Sequence, residues 1–142
     1  MPDAASVQPD GQPPVPVLLE TLTVPATGEV VTSTVVLVSG ASYQLVATGE
    51  VTVRDGYGGD ADYWYDVVFG VGGDSSGGVD IGLAVNDTVI DGDRSPDWGE
   101  YTESHSYQST MGGTGSTLTA QYHDPNFSNN GGSMSLEIWG LP

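Results

Sequence analysis

Four side chains that end in oxygen acceptors crowd into one short stretch near the end of the chain: Asp124, Asn126, Asn129 and Asn130. Carboxylate, amide and carbonyl oxygens are the ligands that hard cations such as calcium gather, about six to eight at a time. On either side the sequence alternates. Leu118, Ala120 and Tyr122 fall on one face before the stretch, and Met134, Leu136 and Ile138 on one face after it. Period two is the mark of a half-buried strand. A polar loop pinned by two strands can hold its oxygens in place with little further loss of entropy, and Gly131 and Gly132 suit the backbone angles that close it. The same residue types also serve ordinary turns, because Asn, Asp and Ser hydrogen-bond their own backbone.

The order of these residues resembles the calcium-dependent galactophilic lectins of the PA-IL type. In that family a strand ending in Tyr-x-Asp is followed by a short loop, then Asn-Asn-x-Gly-Ser-x-Ser and a final strand. The matching residues are Tyr122, Asp124, Asn129, Asn130, Gly132, Ser133 and Ser135. The resemblance covers about twenty C-terminal residues closely and the upstream part in patches. It implies a calcium ion held by the side chains of Asp124, Asn129 and Asn130 and by the carbonyl of Asn126, with a further carbonyl from the Tyr57-Gly58 step. It also implies a carbohydrate partner, galactose-like, whose hydroxyls complete the coordination beside Asp124 and Asn129. The loop between Asp124 and Asn129 is two residues shorter than in the lectins. The segment after Tyr57-Gly58 holds no His, where the lectins place sugar-contacting His and Gln. The resemblance therefore carries over the ion and not those sugar contacts.

Other residues fit the same chemistry. Asp60 and Asp62 lie close to Tyr57 and, two apart on an extended chain, can face one ion together. A further acidic run, Asp87, Asp91, Asp93 and Asp97, lacks the spacing and terminal Glu of an EF-hand and reads as a solvated turn. Trp98, before Gly99 in an irregular region, is a candidate platform for the apolar face of a sugar, or else a plug at one end of the fold. His123 adjoins Asp124, but neighbours on a strand point to opposite faces. No Cys nucleophile is present. With 19 acidic residues some pair of carboxylates always has glycosidase spacing by chance. The expectation is a protein that is not an enzyme.

The elements that must position these residues are short. Alternating runs cover 17–24, 30–38, 42–53, 63–71, 79–85, 105–111, 116–123 and 133–139, separated by turn residues, with Gly49 marking a bulge or close approach inside the longest run. Long helical periodicity is absent. Roughly nine strands in 142 residues suit one all-β domain, expected as a two-sheet jelly-roll β-sandwich of galactose-binding-like type. The division expected is a Pro-rich linker or tail over 1–16 and a single domain over 17–142.

The charge is one-sided: 19 acidic residues face two arginines, Arg54 and Arg94, and no lysine, for a net charge of −17. Nucleic acids and anionic membranes are bound through Lys and Arg, so neither is an expected partner. The chain has no Cys and no apolar run of the roughly 20 residues that span a bilayer. Met1 leads directly into polar residues, consistent with a removed leader. A bound calcium can replace the disulfides of a small extracellular domain. These features suggest an extracellular or cell-surface location. The function expected is a calcium-dependent, lectin-like carbohydrate-binding module. The alternative is a filament or adhesin subunit, with calcium as a staple and the N-terminal tail docked on a neighbouring copy.

Overall fold

In the computed structural model, residues 15–68, 70–74, 81–86, 98–124 and 126–142 are described. The expected tail lies outside them almost entirely, as do Arg94 and the acidic run from Asp87 to Asp97. Eleven strands appear among the described residues: β1 (Val17–Pro25), β2 (Val31–Leu37), β3 (Ser42–Thr48), β4 (Val51–Arg54), β5 (Tyr57–Gly59), β6 (Tyr63–Asp66), β7 (Gly70–Asp74), β8 (Gly82–Val85), β9 (Ser106–Gly112), β10 (Ser116–His123) and β11 (Ser133–Gly140). The fold is all-β, and its strand pairs are antiparallel.

Hydrogen bonding divides the strands into three sheets where two were expected, in the orders β1-β11-β3-β9, β2-β10-β8 and β4-β5-β6-β7. The difference begins at Gly49. The run 42–53 reads as one strand, but Gly49 adopts a φ of +118°, open to glycine and costly for other residues. The chain turns there, so β3 joins the first sheet while β4 opens the third. A second break follows at Asp55-Gly56, a two-residue hairpin turn of the kind that favours Gly, which converts the expected loop 54–62 into the β4–β5 ribbon.

Alternation does the rest. Leu118, Ala120 and Tyr122 of β10 and Met134, Leu136 and Ile138 of β11 are all buried, as their period requires. They join Leu22, Val24, Leu45 and Ala47 from the first sheet, Leu37, Leu83 and Val85 from the second, and Val51 and Val53 from the third in one continuous core. This arrangement is compatible with a β-sandwich. Tyr122 is the link that matters for the loop beyond it. It is fully buried, and its hydroxyl donates to the Asp60 carbonyl at 3.0 Å, tying the end of β10 to the third sheet. Gly59 is needed for that approach, because a Cβ there would collide with the Tyr122 hydroxyl.

Candidate metal and ligand site

β10 ends at His123, and the next residues fold into a compact polar loop. Asp124 Oδ1 accepts from the Asn126 N–H at 2.9 Å. Asn126 Oδ1 accepts from Ser128 N at 3.0 Å and Ser128 Oγ at 2.7 Å, capping a 3₁₀ turn over Phe127–Asn129. The loop is then pinned from outside. Gly131 and Thr52 exchange both backbone hydrogen bonds, at 2.9 and 3.0 Å. Asn130 Nδ2 donates to the Ala26 carbonyl at 2.8 Å, and Gly132 O accepts from Ala26 N at 3.0 Å. β4 and the chain just after β1 thus clamp the loop.

Once these donors are placed, oxygens are left over. Asp124 Oδ2 and Asn130 Oδ1 are buried and have no hydrogen-bond partner. The Asn129 amide turns its oxygen towards two carbonyl oxygens, those of Val53 and Asn126, with separations of 3.0 and 3.3 Å. Rotating that amide would let its nitrogen donate to both carbonyls, but it would do nothing for Asp124 Oδ2 or Asn130 Oδ1. A buried acceptor without a donor costs about 1–3 kcal/mol. A hard cation needs acceptors and tolerates no donors, so oxygens such as Asp124 Oδ2 and Asn130 Oδ1 are of the kind it takes. The residues present therefore fit calcium. Among the described residues no group of three or more His, Cys, Asp and Glu stands ready for a metal. A site here would rest on one carboxylate with amide and carbonyl oxygens, a donor set that suits calcium and not zinc.

Asp124, Asn126 and Asn129 line the floor of a cleft of about 520 Å³, whose other walls are Val53, Arg54, Tyr57, Trp64 and Ile81. The Tyr57 and Trp64 rings meet at 6.2 Å between centroids, tilted by 50°. The Arg54 guanidinium lies 4.6 Å from the Tyr57 ring centre. The lining thus combines aromatic rings with side-chain oxygens.

The structure brings Asp124, Asn126 and Asn129 together as expected, with Asn130 anchored beside them. It places Tyr57 differently. Tyr57 belongs to β5, its backbone opposite Arg54 and Asp66, and it meets the cleft as a wall. The upstream carbonyl that faces Asn129 is that of Val53. The β4–β5 register shifts between Thr52 and Arg54, so Val53 is the extra residue of a bulge, and a bulged residue leaves the ladder. Trp98 is corrected too. It is only 3% exposed and its Nε1 donates to the Leu83 carbonyl at 3.1 Å, so it plugs the core and offers no platform to a sugar. The accessible indole is that of Trp64, on β6, whose place at the cleft depends on the β5–β6 pairing.

Asp60 and Asp62 do not reach this cleft. Both are fully buried. Asp60 Oδ1 accepts from Asp62 N at 3.1 Å and Tyr63 N at 2.9 Å, and Oδ2 meets the Tyr107 hydroxyl at 2.7 Å and His105 Nδ1 at 2.8 Å. Such a carboxylate is filled by donors and has nothing left for a cation. His105 continues the network, its Nε2 lying 3.2 Å from Glu50 Oε1, which also accepts from the Tyr65 hydroxyl at 2.7 Å. Tyr65 stacks on the imidazole with centroids 5.0 Å apart. Both ring nitrogens face carboxylates, so both can donate only when the ring carries both protons. Burial, then the hydrogen bond to Glu50, raises the Tyr65 phenol far above its ordinary value. Burial, then the bond to Asp60, does the same to Tyr107. Tyr122 is raised by burial, with Asp60 and Asp124 adding to it. Sequence reading passes over this cluster, since Tyr107 bonds to Asp60 across 47 residues. Compared with protein-family models, curated proteins and solved structures, the chain matches none of them.

Proposed function

We propose that this protein is a calcium-dependent carbohydrate-binding module of the extracellular space or cell surface, in which sugar hydroxyls complete the coordination of an ion held in the Asp124 loop. The reading takes the sandwich as a jelly roll like that of the galactophilic lectins, and catalysis has no part in it. Asp124 Oδ2, Asn130 Oδ1, the Asn129 amide oxygen and the carbonyls of Val53 and Asn126 would hold the ion. One observation carries the reading: Asp124, whose Oδ2 is buried without a donor, lines a cleft together with the Tyr57 and Trp64 rings. A pyranose has one apolar face for such a wall and vicinal hydroxyls for the ion.

Calorimetric titration of calcium into the wild-type protein and Asp124→Ala tests the ion. The variant removes the only carboxylate and is expected to weaken binding at least about a hundredfold, ~2.8 kcal/mol. Equal affinity in both proteins would remove the site. Titrating D-galactose into the calcium-loaded and chelated proteins tests the sugar, with heat expected only in the loaded one.

A second reading, self-association as a filament or adhesin subunit, is favoured by a different observation. β1 is an edge strand, and Val15, Leu18 and Leu19 near its start are 47, 43 and 38% exposed. Edge strands accept further strands. Sedimentation of the chain with and without residues 1–14 distinguishes the two: a mass that falls on deletion supports assembly through the tail, and an unchanged monomer removes it.

A further inference from the structure

The charge of the cleft differs from that of the molecule. With 19 acidic residues against two arginines, an arginine has carboxylates to pair with in abundance. Arg54 pairs with none of them among the described residues. Instead its guanidinium rests on the Tyr57 ring, at the wall of the cleft that holds Asp124, Asn126 and Asn129. Stacking on an aromatic face uses the plane of the guanidinium and leaves its edge, with its fork of N–H donors, open for a second partner. Arg54 reaches this place because the Asp55-Gly56 turn sets it directly opposite Tyr57 in the β4–β5 ribbon.

We infer that the cleft takes an anionic pyranose, a sugar bearing a carboxylate or sulfate that Arg54 receives while the ion takes the hydroxyls and Trp64 takes the ring face. This inference rests on the carbohydrate-binding reading and names its ligand class. A divalent ion bound by a single carboxylate leaves one net positive charge at the cleft floor, and Arg54 adds another at the wall. A neutral sugar leaves that arginine solvated and unused. An anionic one gains charge-assisted, two-pronged hydrogen bonds, roughly twice as strong as neutral ones. The repulsive field of the remaining carboxylates reaches the cleft only weakly at physiological salt, where screening acts over about 8 Å.

The test compares D-galactose, D-galacturonic acid and D-galactose 6-sulfate, each titrated by calorimetry into calcium-saturated wild type, Arg54→Gln and Arg54→Lys. Calcium alone is titrated into each protein first. The expected result is a preference of about tenfold or more for an anionic sugar in wild type, ~1.4 kcal/mol. That preference is absent in Arg54→Gln and partly kept in Arg54→Lys, which holds the charge and loses the fork. The ratio between sugars carries the test, so a general weakening of the variant cannot imitate the result. The uronic acid and sulfate arms tell which anion the cleft prefers. Equal binding of galactose and both anionic sugars by wild type overturns the inference and leaves the carbohydrate-binding reading standing, as does a preference that survives Arg54→Gln. Calcium bound with no sugar overturns both and leaves a metal site. No calcium bound removes the site on which both rest.

Discussion

His105 is the residue whose loss should hurt the fold most outside the apolar core. Its imidazole lies between a fully buried carboxylate, Asp60, and the more exposed Glu50. Removing it leaves Asp60 buried with one hydrogen-bond partner gone, although Tyr107 and two backbone N–H groups remain. Leaving a buried polar group short of a partner costs about 1–3 kcal/mol, more for a charged one. His105→Ala is therefore expected to lose several degrees of melting temperature, read by circular dichroism. His105 also has a φ of +55°, uncommon for a residue with a Cβ, so His105→Asn restores some backbone fit without the imidazole's hydrogen bonds and should fall between His105→Ala and wild type. The tyrosines around it make an alkaline prediction. Phenols raised in the folded state contribute stability that is complete below the ordinary phenol range, near about 10, and is lost as pH rises through their folded values. Phenolate absorbance should thus show Tyr65, Tyr107 and Tyr122 ionising only as the protein unfolds at high pH.

At the scale of elements, the edges of β1 and β2 show how the fold closes on itself. The β2–β10 register shifts between Thr117 and Thr119, which leaves residues 33–35 outside the ladder. The N–H groups of Thr34, Val35 and the opposing Leu118 find side-chain partners. Ser33 Oγ accepts from Leu118 N at 2.8 Å, and the Glu20 carboxylate of β1 accepts from Thr34 N, Val35 N and the Thr34 hydroxyl at 2.9–3.0 Å. One side chain on an edge of the first sheet thereby satisfies a bulge on an edge of the second. Burial by itself would raise the Glu20 carboxyl, but the bonds from Val35 and Thr34 outweigh it and hold the group below its ordinary range. Its contribution is present above the usual carboxylate range and is lost as pH falls through the lowered value. Glu20→Gln is expected to cost about 1 kcal/mol at neutral pH, since the bonds lie near the surface. That difference from wild type should shrink on acidification, as urea midpoints measured from neutral pH into the acid range would show. A difference that stays constant would mean that the carboxylate charge is not what the bulge needs.

For the whole molecule, the acidic excess and a cation held in the Asp124 loop would act in opposite directions. A net charge of −17 favours expansion by self-repulsion, and a cation bound only by the folded form opposes it. At a hundred times its dissociation constant such an ion adds about 2.7 kcal/mol. Calcium is expected to raise the melting temperature and a chelator to lower it. Sodium chloride at matched ionic strength should reproduce only the part due to screening, and Asp124→Ala should respond to calcium no more than to sodium. If salt alone yields the full shift, general screening accounts for the effect and the loop holds no specific ion.

What the chain determined by itself is local. Alternation over β10 and β11 gave the buried faces residue by residue, because a strand's period of two is a property of neighbouring residues. The loop's acceptor-bearing side chains were legible for the same reason: Asp and Asn announce their oxygens wherever they stand. Backbone carbonyls announce nothing, since every residue has one. Whether Tyr57 or Val53 offers its carbonyl to Asn129 depended on a bulge in β4, and that bulge is set by pairing with β5. The hairpin signal at Asp55-Gly56 was present in the sequence, but its consequence, Arg54 against Tyr57 in the cleft, needed the register. Trp98 and Trp64 look equally available as letters, and only packing buried the first and set the second at the cleft. Asp60, His105 and Tyr107 meet across as many as 47 residues. Contacts at that separation follow from which strands share a sheet, and that was decided where Gly49 turned one run of alternating residues into two strands of different sheets.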